Sequence, residues 1–422
     1  MKRDIGRWLR QWTEGKIARD ALANYVFMFM TMAVSFVAGV IVARTLGPAN
    51  KGVFDLFLLT TAMAAELCLF GVGNGLIYYL SNRKQPLPAA HGVSVVFALG
   101  SGLAALLVGV ALLPWLGKAL PGLSRFWIVL ALTLTPFAIY RSVWANILVG
   151  IGRSVDSYRF ELLFAGILFL FLIGLLALRR FTVGNLVFVQ AGLVVLSAMI
   201  AFGYMHYRLA KSIAFDRMLL SNSIKYGLLL YIGYFANTMH FRIDQLMINY
   251  RYGVDQVGIY NVGVRLAEFI QVLDAPIILA AINQIGSRAD EESRLLTRRT
   301  MFIVALAVGA MGCLLALTAD WLVLIFGEAF APAATPLRLL LPGILLWSMS
   351  KALSGSLIYN QGRAKVVVAI AAIGAVFNLG LNYLLMFVFD LGIVGAAVAS
   401  STSYSICYFM ILLAWVRKKR AA

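Results

Sequence analysis

Cysteine, histidine and acidic residues are all scarce in this chain. Its 422 residues include three cysteines, three histidines and only 18 aspartates and glutamates. Cys68, Cys313 and Cys407 have neither the spacing of a disulfide framework nor that of zinc ligands, and the histidines are equally dispersed. We therefore expect no disulfide-stabilised domain, no metal site and no cofactor.

A nucleotide-binding loop and a soluble domain are also missing. Gly71, Gly73 and Gly75 resemble a phosphate loop only superficially, because no strand precedes them. Close helix packing or a hinge explains these glycines better. ATP is thus excluded as a direct energy source. A membrane enzyme such as a polyprenyl-linked polymerase or ligase would need a sizeable outer loop with catalytic groups, and it is not favoured because all the predicted outer loops are short.

Apolar residues, in contrast, make up 62% of the chain, and the mean hydropathy is +0.88. Windows of about 20 apolar residues, enough to cross a ~30 Å hydrocarbon core, recur throughout. The sequence predicts an all-α integral membrane protein with twelve transmembrane helices. They lie near residues 21–43, 53–80, 90–113, 125–149, 157–178, 183–205, 223–248, 256–283, 300–326, 336–359, 366–389 and 392–416.

The net charge of +18 follows the predicted topology. If the N-terminus is cytoplasmic, the inner segments hold 24 of the 36 basic residues and the outer segments hold seven. The positive-inside rule then places both termini in the cytoplasm. The basic residues form no stripe with interleaved aromatics, so nucleic acid is not expected as a partner.

The chain resembles itself at an offset of about 206 to 210 residues. The two best matches pair GPANKGVFD (47–55) with GVDQVGIYN (253–261), and ILVGIGR (147–153) with LIYNQGR (357–363). Six spans separate the copies, so both enter the membrane in the same direction as a parallel repeat. The predicted division is an amphipathic N-terminal segment (1–20), an N-lobe (21–207), a cytoplasmic linker (208–222), a C-lobe (223–416) and a basic tail (417–422).

Charged side chains inside the predicted spans indicate a polar pathway, because an unpaired charge there costs several kcal/mol. Arg265 and Glu268 lie three apart on one helix face, where they can pair. The interior is nearly balanced in charge, and pairing between helices is the alternative to a functional role. The cations are Arg141, Arg242, Arg265, Arg338 and Lys351, and the acids are Asp55, Glu66, Glu161, Asp244, Glu268 and Asp274.

Arg141 and Lys351 occupy equivalent positions in the two halves, and neither has an acidic residue three or four positions away. Two unpaired cations at one depth would suit a pyrophosphate. The alternative is that both side chains reach toward the inner interface.

Several segments are similar to the bacterial polysaccharide flippases of the Wzx type. That family belongs to the superfamily that also holds the MATE multidrug exporters and the lipid II flippase. The similar segments are ARTLGPANKGVFDL (43–56), RIDQLMINYRYGVDQVGIYNVGVRLAEFI (242–270), IFGEAFAPAATPLRLLLPGILLWSMSKALSGSLIYNQGRAK (325–365) and NLGLNYLLMFVFDLGIVGAAVASS (378–401).

The resemblance implies two six-helix lobes around a central cavity in a bacterial cytoplasmic membrane. It also implies a substrate, an oligosaccharide on undecaprenyl pyrophosphate, which moves to the outer leaflet by alternating access without catalysis by the protein. Membrane lipids and other polysaccharide assembly proteins are the further partners implied. Only Arg242 and Asp244, of the RID motif, carry over from the family as site residues.

The sequence therefore yields two sets of candidate site residues. The substrate-binding set is Arg141, Lys351, Arg242 and Arg265, and the set for a coupling H⁺ or Na⁺ is Asp244, Glu268 and Glu66. Tyr260, Asn261 and Asn378 are among the polar residues expected along the glycan path. A MATE-like cation-coupled multidrug exporter is the alternative, and it would need a cavity dominated by acids.

Overall fold

The structure, a computed structural model, describes residues 16–287 and 289–417. Every regular element in these ranges is a helix. Most of the predicted amphipathic segment, at residues 1–15, and the basic tail after Arg417 lie outside the described residues.

Fifteen α-helices make up the described chain. In order they are α1 Lys16–Leu67, α2 Val72–Arg83, α3 Leu87–Ala111, α4 Leu113–Ala119, α5 Arg125–Thr133, α6 Thr135–Gly150, α7 Ser154–Ala177, α8 Val183–Gly203, α9 Arg217–Tyr252, α10 Val254–Phe269, α11 Gln271–Ser287, α12 Asp290–Leu324, α13 Ala334–Gly355, α14 Ala364–Tyr383 and α15 Gly392–Val416. Short π-helices at Tyr204–Ala210, Ser356–Asn360 and Leu384–Val388 extend α8, α13 and α14, and a 3₁₀ turn covers Glu328–Ala333.

Ten helical segments among the described residues are long and apolar enough to cross a membrane. One of them, Leu22–Leu67, contains the first predicted span and the start of the second, which meet at a non-helical Gly47. Helix α9 is not among the ten, although its 36 residues exceed the length of a span, because polar residues interrupt it. The described residues form an all-helical, multi-pass membrane protein, and the ten apolar segments are roughly consistent with the prediction of twelve spans.

Contacts divide the chain into two compact units. The described part of unit 1 runs to Val42 and includes Thr61–Val108 and Leu130–Leu228. Its core contains the fully buried Leu76, Val93, Ile139, Ile147 and Met205.

Close helix packing within unit 1 involves two of the glycines that resemble a phosphate loop. A Cβ atom at Gly71 would lie 2.4 Å from the carbonyl oxygen of Gly227, and one at Gly75 would lie 2.2 Å from that of Ser223. The packing interpretation of these glycines is confirmed.

Unit 2 contains Ala43–Thr60, Gly109–Val129 and the described chain from Leu229 onward. Its first two segments belong to the N-lobe in the predicted division, which remains a prediction. Leu353, Leu357, Cys407 and Trp415 are buried together in its core.

The repeat is visible in the backbone. Gly47 and Gly253, one offset apart, share nearly the same conformation, with φ/ψ of 69/175° and 91/175°. Gly152 and Gly362 are likewise both left-handed, with φ of 72° and 63°. Glycine adopts a positive φ more readily than any other residue, so the matched glycines mark matched turns. The structure therefore supports the internal repeat.

Candidate functional site

The second arm of α1 and helix α10, both in unit 2, cross at two equivalent glycines. A Cβ atom at Gly52 would lie 1.7 Å from the carbonyl oxygen of Val254, and one at Gly258 would lie 2.2 Å from that of Pro48. With an offset of 206, Pro48 corresponds to Val254 and Gly52 to Gly258. The contact is therefore reciprocal, as a pseudo-two-fold axis requires. Gly52 and Gly258 let the two helices approach at backbone distance.

Gly52→Ala is expected to destabilise this crossing by about 1–3 kcal/mol, because the added methyl group meets backbone atoms that have no free space to move into. The matched control is Gly380→Ala in α14 of the same unit, where nothing lies within 4 Å of the added atom. The control should be neutral or slightly stabilising, because alanine is the better helix former. Thermal unfolding of the purified variants in detergent compares them, and equal melting temperatures would contradict the close crossing.

A buried ion network lies beside the crossing. Lys51 forms an ion pair with Asp55 one turn later, and the two side chains are 2% and 3% exposed. Asp55 also accepts hydrogen bonds from Asn261 Nδ2 at 3.1 Å and from Arg265 Nη2 at 3.2 Å. Asp55 and Asn261 are themselves equivalent in the repeat. The network thus ties the α1 arm to α10 with two cations on one carboxylate.

Arg242 on α9 forms a bidentate ion pair with Glu268 on α10. Its Nη1 lies 3.0 Å from Oε1 and its Nη2 lies 3.1 Å from Oε2. The predicted pairing of Arg265 with Glu268 is therefore wrong. The planar guanidinium group of Arg242 binds both carboxylate oxygens of Glu268. Arg265 instead forms an ion pair with the buried Asp55.

Asp244 is the centre of a third cluster and is nearly completely buried. The Tyr260 hydroxyl donates to its Oδ2 at 2.5 Å, and the Ser400 hydroxyl donates to the same oxygen at 3.3 Å. Asn378 on α14 donates to Ser400 at 3.3 Å, and Asn382 one turn later donates to Asn378 at 2.9 Å. Four helices, α9, α10, α14 and α15, thus bring one carboxylate and several neutral oxygens together.

Arg141 and Lys351 are both paired, contrary to the prediction that they are unpaired. Arg141 Nη1 lies 2.8 Å from Glu161 on α7, and Lys351 Nζ lies 2.7 Å from Asp274 on α11. Because Glu161 and Asp274 lie on other helices than their cations, the spacing of residues along one helix does not predict these ion pairs. The partners are not equivalent in the repeat, because position 371, one offset after Glu161, is an alanine.

The two pairs differ in how much binding capacity remains. Lys351 Nζ has three hydrogen-bond donors, and it lies 2.7 to 3.0 Å from Gln271 Oε1 and both oxygens of Asp274. Its donors are therefore fully used. The Arg141 side chain is 35% exposed and has five N–H donors. Its ion pair with Glu161 is formed by the Nη1 atom.

Two further residues of the predicted spans are Glu66 and Arg338. Glu66 is half-buried and belongs to unit 1, whereas the other two coupling candidates, Asp244 and Glu268, belong to unit 2. Arg338, counted among the intramembrane cations, forms two hydrogen bonds with Asp320, at 3.0 and 2.6 Å, near the ends of α13 and α12. It is a helix-end ion pair and not part of a buried pathway.

Sequence reasoning missed Lys51, Ser400 and Asn382. The predicted spans 21–43 and 53–80 leave Lys51 in the loop between them, although its spacing of four from Asp55 is the ordinary signal of an ion pair within a helix. Ser400 and Asn382 carry no such signal, because serine and asparagine are common in helices and their partners lie on other helices.

Comparisons with known proteins agree with this architecture. A family described as "Polysaccharide biosynthesis protein" matches residues 17–283, more than half of the chain, and the MatE family matches residues 230–384. No curated protein matches.

Solved structures share the fold. An inward-facing multidrug resistance MATE family transporter of the MOP superfamily is 14% identical, with a TM-score of 0.74 over 94% of this chain and 97% of that one. A MOP superfamily transporter from Pyrococcus furiosus, whose binding pocket is described as reversed in polarity, is 15% identical, with a TM-score of 0.68 over 96% of each chain. The chain shares its fold with these transporters and belongs to the polysaccharide biosynthesis protein family.

Proposed function

We propose that this protein flips oligosaccharide units linked to undecaprenyl pyrophosphate from the cytoplasmic to the outer leaflet of a bacterial cytoplasmic membrane. The observation that carries the proposal is the match to the polysaccharide biosynthesis family over residues 17–283. The threefold excess of basic residues on one set of loops supports cytoplasmic termini. A MATE-like multidrug exporter is the second candidate, supported by the shorter MatE match.

Exposed guanidinium groups suit the pyrophosphate of such a substrate. Arg242 and Arg265 are 34% and 50% exposed, although each binds a carboxylate. A guanidinium has five donors and a carboxylate occupies two at most, so each retains donors for a phosphate oxygen. Arg141 meets the same requirement in unit 1. Lys351 is the weakest of the four predicted binding residues, because its three donors are taken.

The Asp244 cluster suits a coupling cation. A buried carboxylate with hydroxyl and amide oxygens around it can accept a proton or bind Na⁺. When the proton or Na⁺ leaves, the negative charge of the carboxylate remains in the protein interior. Asp244 therefore fits the coupling role better than Glu268, which is held by Arg242. The coupling ion is H⁺ or Na⁺.

Alternating access would require the α1 arm and α10 to separate. The glycine crossing and the network around Asp55 join residues from the two halves of the repeat. If the α1 arm and α10 separated, the side chains of Lys51 and Asp55, which are buried beside the crossing, would become exposed. We propose that this crossing closes one end of the transport path.

Deletion of the gene in its native host tests the function. The expected result is an accumulation of lipid-linked oligosaccharide, identified by mass spectrometry of the lipid extract, together with loss of the surface polymer. Plasmid expression of the wild-type protein should restore both. Normal lipid-linked sugar combined with raised sensitivity to cationic drugs would instead support the multidrug exporter.

A further inference from the structure

Four arginines gather around the last turn of α15, at one end of a predicted membrane span. Arg363 Nη1 donates to the carbonyl oxygens of Ala414, at 2.6 Å, and Arg417, at 3.4 Å. Arg294 Nη2 donates to the carbonyl oxygen of Trp415 at 3.4 Å. We call Arg294, Arg298, Arg363 and Arg417 the α15 arginine cluster.

A fixed tryptophan ring organises the cluster. The Cζ atoms of Arg294 and Arg298 lie 5.2 and 5.8 Å from the centre of the Trp415 ring, within the range of a cation–π interaction. The Trp415 side chain is buried, and its indole N–H donates to Ser356 Oγ at 3.0 Å. The ring therefore holds two guanidinium groups in place while Arg298 remains exposed.

The positive charge of the cluster is larger than the partial negative charge at the C-terminal end of α15. A helix C-terminus carries about half a negative charge, and two of the four arginines already cap its carbonyls. The first turn of α12 contains Asp290, Glu291 and Glu292, but within the described residues none of the four guanidinium groups forms an ion pair with a carboxylate. The cluster therefore has no directly paired counter-ion in the described part of the chain.

The equivalent end of unit 1 shows what a balanced arrangement looks like. Arg153, one offset before Arg363, binds Asp156 at 2.7 Å, and Arg159 lies 3.5 Å from the same carboxylate. The position that corresponds to Asp156 is Val366. Unit 1 therefore supplies its own counter-ion, and the α15 arginine cluster does not.

Apolar side chains next to the cluster indicate the nature of the missing anion. Leu413 and Val416 on α15 and Leu295 on α12 are 58%, 55% and 51% exposed. A basic cluster beside an exposed apolar surface, at the end of a membrane span, fits a phospholipid better than a soluble anion, because a phospholipid carries both a phosphate group and apolar chains. We propose that the α15 arginine cluster binds the phosphate of an anionic phospholipid whose acyl chains lie on this apolar surface.

Native mass spectrometry of the purified full-length protein, titrated in detergent with phosphatidylglycerol or phosphatidylcholine, tests the site. We expect the wild-type protein to bind phosphatidylglycerol more tightly. Arg298→Gln should weaken this binding about fivefold, and Arg298→Gln with Arg417→Gln about thirtyfold. Neither side chain donates a hydrogen bond within the described structure, so both variants should fold.

Arg159→Gln is the matched control. Arg159 is also exposed and also lies over an aromatic ring, 5.5 Å from the centre of Phe27, but it has Asp156 as a counter-ion. Its replacement should leave phosphatidylglycerol binding unchanged. Equal affinity for the two lipids, equal loss in the control, or displacement of the lipid by an equal concentration of inorganic phosphate would overturn the proposal.

Discussion

Lys351→Gln is expected to destabilise the protein by about 3–5 kcal/mol, because it leaves the carboxylate of Asp274 buried without a cation. The Asp274 side chain is completely buried, and Lys351 contacts both of its oxygens. Lys351→Gln combined with Asp274→Asn removes both charges and should return to within about 1 kcal/mol of the wild-type stability. Thermal unfolding in detergent and the amount of protein in the membrane measure the effect.

Export in the double variant separates structure from transport. Because the three donors of Lys351 are already used, we expect export to return together with folding. A double variant that folds normally but exports nothing would instead make Lys351 a substrate-binding residue. An equally unstable double variant would contradict the assigned ion pair.

Arg141 provides the contrast within the same chain. Its ion pair with Glu161 is 35% and 40% exposed, so losing it should cost about 1 kcal/mol or less. The two halves of the predicted pyrophosphate clamp therefore differ in their acidic partners, because Asp274 is completely buried and Glu161 is 40% exposed, whereas Lys351 and Arg141 are about equally exposed, at 32% and 35%. Their equivalent positions in the repeat do not give them equivalent roles.

The elements that the sequence predicts well are those set by local chemistry. Apolar windows of about 20 residues define the spans whatever their neighbours are. Gly47 and Gly253 mark the repeat because each needs a positive φ, a property of one residue and its backbone. Both signals are contained in a short stretch of sequence.

Ion-pair partners are harder to predict, because helix spacing covers only contacts along one helix. It identified the possible pair of Arg265 and Glu268, but each of these residues pairs with a different helix. In a medium of low dielectric, every charge needs a partner of good geometry, and distant segments compete to provide it. Asp55 illustrates this, since its partners lie at sequence separations of 4, 206 and 210.

Asp244→Asn is expected to abolish ion-coupled export while the protein still folds. Asparagine has the shape of aspartate, and its side-chain oxygen can still accept the hydrogen bond of Tyr260. It lacks the charge that binds a cation, and a charge-assisted contact contributes about 1.5–3 kcal/mol, so cation affinity should fall about 10- to 100-fold. Export in cells, together with the shift of melting temperature on adding Na⁺ or changing pH, measures the change.

Tyr260→Phe distinguishes the charge of Asp244 from its surroundings. It removes a hydroxyl that contacts the carboxylate but leaves the carboxylate in place. Cation binding should therefore weaken only about tenfold or less, and the response of melting temperature to the ion should persist at higher concentration. In Asp244→Asn the pH response of this carboxylate should be absent, and a response to Na⁺ should need concentrations about 10- to 100-fold above those of the wild type. If Asp244→Asn kept a wild-type ion response, the coupling role would pass to another carboxylate, and the buried cluster around Ser400 and Asn378 would be only a contact between helices.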